Sequence, residues 1–213
     1  MTPAEALALV QRSEPWFQAC IASVGSSRVH DIIAKGAGGA PSASRKNLLA
    51  QIVVETLTGK RAGSGFKTAA MDQGTEREPE TKREYTFMTG NEIVDVGMVL
   101  HPTIPRTHAS LDGIIGDDGF YEGKAPEVAE HMRMLLGGKI KAAYETQVTW
   151  GFACSGRKWC DWVSYNPDFP VEMQLFRVRI QRDPARIIEL EAEVRKFMKD
   201  MDEAVAALKA TYK

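Results

Sequence analysis

The 213-residue sequence predicts one domain of the mixed α/β (α+β) class, and three observations carry that expectation. Apolar residues recur at helical spacing toward both ends of the chain. The middle, from about residue 92 to 124, changes to a β-branched, roughly alternating pattern. Helix and strand patterns then follow in turn before one long terminal helix. A composition of 44% hydrophobic and 26% charged residues excludes global disorder, a collagen-like fibre and a disulfide-stapled miniature. The length suits one domain with a substantial core rather than two large ones.

Thr2-Pro3-Ala4-Glu5 is a helix start, because Thr2 can cap, Pro3 fits the first turn and Glu5 completes a capping box; residues 3–12 are expected to be helical. Residues 16–34 carry apolar positions at helical spacing, including Val29, Ile32 and Ile33. The Gly/Ala/Ser/Pro run at 36–44 has no packing pattern and is expected to be a mobile loop. A helix over about 44–58 places Leu48, Leu49, Ile52, Val53 and Leu57 on one face and stops at Gly59. Residues 66–88 are expected to be helical, with Gly74 and Pro79 threatening a break. Residues 92–100, 111–115 and 120–124 read as a strand meander, the last two flanking a Gly116-Asp117-Asp118-Gly119 turn. Helices return at 128–136 and 140–153, and strands at 158–165 and 173–180. Arg182-Asp183-Pro184 opens the last helix, whose stripe of Ile187, Leu190, Val194, Phe197, Met201, Ala204 and Leu208 packs on its own core or on a partner helix.

Twenty-seven Lys and Arg against 28 Asp and Glu leave a net charge of -1, so a polyanion must be gripped locally rather than by a whole-molecule field. Cys20, Cys154 and Cys160 lack CxxC spacing and are expected to be small buried fillers in a reducing compartment. Acidic Glu5 stands where a signal peptide carries positive charge, and no apolar run approaches the ~18 residues that span a bilayer; no membrane association and a cytoplasmic location are expected.

The informative segment runs from Ser110 to Lys124. In a hairpin with the Gly116 to Gly119 turn, Asp112 falls on the first strand, while Glu122 and Lys124, two apart, share a face of the second. Such charges either form a solvated surface or build a site. As a site, two carboxylates offer hard oxygen ligands to Mg²⁺, and an ammonium beside them can orient an attacking water and offset charge on a phosphate.

Glu122-Gly123-Lys124 with Asp112 ten residues upstream resembles the core of the PD-(D/E)XK nucleases. Trp16, Ser26-Ser27, Ile32 to Lys35, Leu57-Thr58-Gly59, Gly74 to Glu78, Ser110 to Gly113, Glu122 to Pro126, Leu136-Gly137-Gly138, Tyr144 to Val148, Tyr165-Asn166-Pro167 and Arg182-Asp183 follow in the order of the phage lambda exonuclease and YqaJ-type viral recombinase family. The resemblance covers roughly residues 14–205 and implies a restriction-endonuclease-like core, a central mixed β-sheet flanked by helices. It implies a single nuclease domain over 1–213, with a catalytic core at about 66–182 and a C-terminal helix at about 184–212.

The activity implied is Mg²⁺-dependent, processive 5′-to-3′ digestion of one strand of linear duplex DNA, leaving 3′ overhangs for a Red-beta-like single-strand annealing protein. Two Mg²⁺ ions per site are implied, with Mn²⁺ as a substitute. Asp112, Glu122 and the carbonyl of Gly123 match one metal site; Asp112 with Glu78 matches a second; Lys124 matches the group that holds the nucleophilic water. Gln147 matches a family glutamine that orients the lysine and touches the scissile phosphate, although a helix glutamine or an acidic helix face at Glu76, Glu78 and Glu80 is also commonly just solvated. Ser27 and Ser110 match a 5′-phosphate pocket, but Cys20 stands where the family has an arginine. Arg28, Arg45 and His131 are candidate replacements, and His131 is preferred because it follows the Glu122-to-Lys124 strand closely. Lys35 precedes the loop that in relatives reaches into the DNA. Met71 matches an apolar wedge that splits the terminal base pair, or else packs in the core. The family also implies a ring-shaped homotrimer and a phage or prophage protein in the bacterial cytoplasm. The alternatives are a restriction-like or resolvase-like endonuclease using the same residues, and a non-catalytic DNA-end-binding module.

Overall fold

The computed structural model describes residues 1–62 and 69–212, with side chains described for 1–62 and 77–212. The chain opens with α1 (Pro3–Leu7) and α2 (Glu14–Cys20), followed by β1 (Val24–Gly25), a 3₁₀ turn at Ser26–Arg28 and α3 (Val29–Ile33). Then come α4 (Ala43–Thr58), α5 (Ala69–Thr89), β2 (Val99–Leu100), β3 (Thr107–Ala109), β4 (Gly113–Ile115) and β5 (Gly119–Lys124). The remainder is α6 (Val128–Leu135), α7 (Ala142–Ser155), β6 (Trp159–Tyr165), β7 (Leu175–Gln181) and α8 (Pro184–Thr211). The larger sheet has the order β4-β5-β6-β7 and is mixed, since β5 and β6 run parallel while both outer pairs are antiparallel. A small second sheet, β1-β3-β2, carries the chain into the β4–β5 hairpin.

Phe120 from β5, Trp150 and Phe152 from α7, Trp162 from β6 and the stripe of α8 form the main core. In α8, Ile187, Leu190, Val194, Phe197 and Met201 are all at most 4% exposed, and each contributes about 1.5–3 kcal/mol by leaving water. The expected stripe therefore packs on its own domain. Asp183 caps α8 by accepting from the N–H groups of Ala185 and Arg186 at 3.0 and 3.2 Å. Cys154 and Cys160 are buried fillers, while Cys20 is half-buried. Among the described residues no helix is long and apolar enough to cross a membrane.

Several expected elements differ. The helix expected over 3–12 ends at Leu7 because the N–H groups of Gly97 and Met98 donate to the carbonyls of Leu7 and Ala6, at 3.0 and 2.9 Å. The same contact explains why residues 92–98 alternate like a strand without being one. The segment lies against α1 and meets the sheet through the Val94–Ile114 bridge and through Ile93, which packs on Gly113 and the Tyr121 cluster. Gly97 permits this approach, since a Cβ there would lie 2.2 Å from the Leu9 carbonyl oxygen. The stretch 16–34 breaks after Cys20 into β1, the 3₁₀ turn and α3. The expected loop at 36–44 is a closed turn, with a Lys35–Pro41 bridge and a hydrogen bond of 2.7 Å from the Gly36 N–H to the Ala40 carbonyl. Helix α5 continues through Pro79, held by the fully buried Tyr85 and by the Tyr165 hydroxyl, which donates to Glu80 at 3.0 Å.

Candidate active site

The hairpin β4–β5 assembles the expected charges. Its register pairs Gly113 with Tyr121, and continuing it sets Asp112 opposite Glu122, just before β4 rather than within it. The N–H of Gly123 donates to Asp112 Oδ2 at 2.9 Å. Glu122 is 2% exposed; its Oε1 takes both the Lys124 ammonium, in close contact, and the Gln147 amide at 2.6 Å. Gln147 reaches it from α7, whose inner face is buried against the sheet. Lys124 also lies over the ring of Tyr144, 5.2 Å from its centroid. Asp112, Gly123, Lys124, Tyr144 and Gln147 border one cavity of about 590 Å³, together with Trp16, Ser27, Glu78 and Ser110, and Glu122 lies buried behind Lys124 and Gln147.

The electrostatics are those of a site short of positive charge. Burial first, then Asp112, raises the Glu122 carboxyl from 4.5 to about 7, against the opposing pull of Lys124. Burial and Glu78 likewise raise Asp112. Burial works against the Lys124 ammonium, but Glu122 and Asp112 prevail and hold it protonated. Among the described residues, Asp112 Oδ1 and Glu122 Oε2 carry no protein donor. A buried and a half-buried carboxylate with free oxygens suit a hard divalent cation. No cluster of three or more His, Cys, Asp or Glu side chains able to hold a metal occurs among the described residues. A cation bound here would take its further ligands from groups such as the Gly123 carbonyl, water and a bound phosphate. Glu78 borders the cavity but is held by Arg12 at 2.7 Å and Lys82 at 3.1 Å.

A second cavity, of about 230 Å³, adjoins the first, and Trp16, Ser27, Ser110 and Gln147 line both. Among the described residues, Ser110 Oγ and Trp16 Nε1 are buried with no hydrogen-bond partner, so two donors face a region where an acceptor is missing. Arg28 lines this cavity while bonded to Gln51 at 3.1 Å and paired with Asp31 at 3.5 Å. Cys20 lines it as a neutral thiol, raised to about 11 by burial, with Sγ 3.9 Å from His108 Nε2. Arg61, whose guanidinium sits 5.1 Å from the Phe17 centroid, enters the same cavity and acts on Cys20 electrostatically. Sequence patterning passed over Arg61, which stands just after the Gly59 helix stop with no periodicity to mark it.

Two candidate DNA contacts are structural instead. His131 is fully buried, its Nδ1 bonded to Ser164 Oγ and its Nε2 to the Met173 carbonyl, both at 2.8 Å, so it cannot meet a phosphate. It packs beneath α6 against β6, on Ser164, which the β5–β6 register sets beside Lys124. Arg45 ties α4 to α8 through Asp200 at 2.7 Å and through the face of Phe197. Lys35 is exposed at the neck of the 36–41 turn, away from both cavities. The wedge expected at Met71 lies outside the residues whose side chains are described.

Residues 15–158 match the YqaJ-like viral recombinase domain. The fold superposes on LHK-Exo, an alkaline exonuclease from Laribacter hongkongensis, with a TM-score of 0.86 and 39% identity, over 93% of this chain and 97% of that chain. LHK-Exo in complex with dAMP gives the same values. A phage related exonuclease from Haemophilus somnus 129PT shares the fold at a TM-score of 0.66 and 15% identity, over 87% of this chain and 96% of that chain. No curated protein matches the chain. With its Asp112, Glu122-Gly123-Lys124 hairpin closing a mixed sheet, the chain belongs to the YqaJ-like viral recombinase family.

Proposed function

We propose that the chain is a Mg²⁺-dependent deoxyribonuclease that digests one strand of linear duplex DNA from the 5′ end and leaves 3′ overhangs for a single-strand annealing protein. The observation that carries this is the meeting of Asp112, Lys124 and Gln147 in one cavity, with buried Glu122 holding Lys124 and Gln147 from behind, beside a second, donor-lined cavity. The relative LHK-Exo has been solved with dAMP, a nucleoside monophosphate, which supports a nucleotide as the occupant.

Asp112, Glu122 and the Gly123 carbonyl would hold the cation, with Glu78 helping a second one directly or through water. Bound there, Mg²⁺ or Mn²⁺ polarises the phosphate and makes a water nucleophilic near neutral pH. Lys124 orients that water and offsets the charge that builds on the phosphate. Gln147 fixes Glu122 without adding charge. In the adjoining cavity, Ser110 and Trp16, whose donors lack acceptors among the described residues, hold the 5′-terminal phosphate together with Ser27, Arg28 and Arg61. With a net charge of -1 the domain has little general hold on DNA, so a ring-shaped homotrimer that encloses the duplex accounts for processivity. The proposed setting is the bacterial cytoplasm.

The test is digestion of linear duplex DNA labelled on each strand in turn, with and without 5′-phosphate, in Mg²⁺ and in EDTA, beside closed circular DNA. Loss of linear DNA alone, from 5′ ends and with metal only, is expected. Cut circles transfer the proposal to an endonuclease, and bound but uncut ends reduce it to end binding.

A further inference from the structure

The floor of the carboxylate cavity holds a polar group that the proposed reaction leaves unused. Tyr121 precedes Glu122 on β5, so its side chain takes the opposite face of the strand, where it tilts against Tyr85 with ring centroids 5.0 Å apart. It is fully buried, yet it borders the cavity shared by Glu78, Asp112 and Gly123. Its Oη has no hydrogen-bond partner among the described residues. A buried hydroxyl without an acceptor costs about 1–3 kcal/mol, so its persistence in a packed strand points to an acceptor that arrives when the site is loaded. The neighbouring Tyr85 hydroxyl, by contrast, is fully employed: it donates to Asp161 Oδ2 at 2.7 Å and accepts from Asn91 Nδ2 at 2.9 Å.

Gly123 joins the phenol to Asp112. A Cβ at Gly123 would lie 2.5 Å from Tyr121 Oη and 2.8 Å from its Cε1, so a larger residue would push the ring away. The N–H of the same glycine holds Asp112 Oδ2 at 2.9 Å, while Oδ1 has no protein donor among the described residues. Hydroxyl and carboxylate therefore rest on one residue, and Asp112 is the charge that acts most strongly on the phenol.

We infer that Tyr121 is a positioning residue of the site: when Asp112 and Glu122 engage a divalent cation, the Tyr121 O–H donates to the Asp112 carboxylate and fixes it as an oriented ligand, in space that the absent Gly123 side chain provides. This rests on the proposed role of Asp112 and Glu122 as cation ligands. Hydrogen bonds to a ligating group commonly contribute about 10- to 100-fold to metal affinity.

The experiment compares the full chain with Tyr121→Phe and Tyr85→Phe by thermal unfolding without divalent ions, by Mg²⁺ and Ca²⁺ titrations followed as stabilisation, and by kcat and KM for duplex DNA. For Tyr121→Phe the metal-free Tm is expected to hold or rise, since no bond is lost, while cation affinity falls about tenfold and KM for DNA stays constant at saturating Mg²⁺. Tyr85→Phe is expected to lower Tm and leave cation affinity unchanged. Equal cation affinity in Tyr121→Phe and wild type overturns the inference alone, as does a loss of affinity that accompanies a fall in Tm. A wild-type chain that binds no divalent ion overturns both the metal reading and the inference built on it.

Discussion

Replacing Glu122 with Gln removes the carboxyl that burial disturbs most clearly, and the consequence depends on pH with a definite sign. In the metal-free fold Glu122 is 2% exposed and holds its proton up to about pH 7, whereas an unfolded chain releases it near 4.5. Between those values the native state binds more protons than the unfolded one, so stability falls as pH rises. Below the lower value neither state is ionised and the penalty is absent; above the upper value it is complete. At ~1.4 kcal/mol per pH unit, the interval from 4.5 to about 7 amounts to about 3 kcal/mol. Urea unfolding of wild type and Glu122→Gln in EDTA, from about pH 5 to about pH 8, reads this group together with its coupling to Asp112 and Lys124, while titrations elsewhere cancel in the difference. Glu122→Gln is expected to gain about 3 kcal/mol on wild type across the range. Saturating Mg²⁺ is expected to erase most of that advantage, since the ion favours the ionised wild-type site. Parallel stability profiles would refute the electrostatic reasoning.

Arg61→Ala is expected to weaken binding of 5′-phosphorylated duplex ends about tenfold, by loss of one charge-assisted contact, with little change for 5′-hydroxyl ends in a fluorescence anisotropy titration. Equal losses for both ends would assign Arg61 to general DNA contact instead. His131→Ala is expected to cost about 2–4 kcal/mol of stability, because Ser164 and the Met173 carbonyl lose partners in a buried site, without altering the affinity for DNA ends. Weaker end binding with an unchanged Tm would return His131 to the DNA surface.

The strand patterns at β5 to β7 and the capped stripe of α8 were legible because their periodicity reports burial directly, and burial is what the fold satisfies. The convergence of Asp112, Glu122 and Lys124 was legible for a related reason: a two-residue period and a tight turn determine which side chains share a face. Residues 92–98 were not, since an extended segment packed on a helix end produces the same alternation as a strand. His131 misled because sequence proximity to β5 says nothing about whether the α6 side chain faces solvent or is buried against the sheet. Arg61 and Tyr121 were silent for opposite reasons. An isolated arginine beyond a helix stop has no pattern, and an aromatic residue on an inward strand position looks like ordinary core until its hydroxyl is found without a partner.

The most direct test of the central claim, that phosphodiester hydrolysis occurs between Asp112, Glu122 and Lys124, is the rate of linear duplex degradation by Lys124→Ala beside wild type in saturating Mg²⁺, with the fold of each checked by circular dichroism. A folded Lys124→Ala protein that still binds DNA ends but degrades them at least ~10²-fold more slowly is the predicted result. Degradation at the wild-type rate would contradict it, and the chemistry would then belong elsewhere on the molecule.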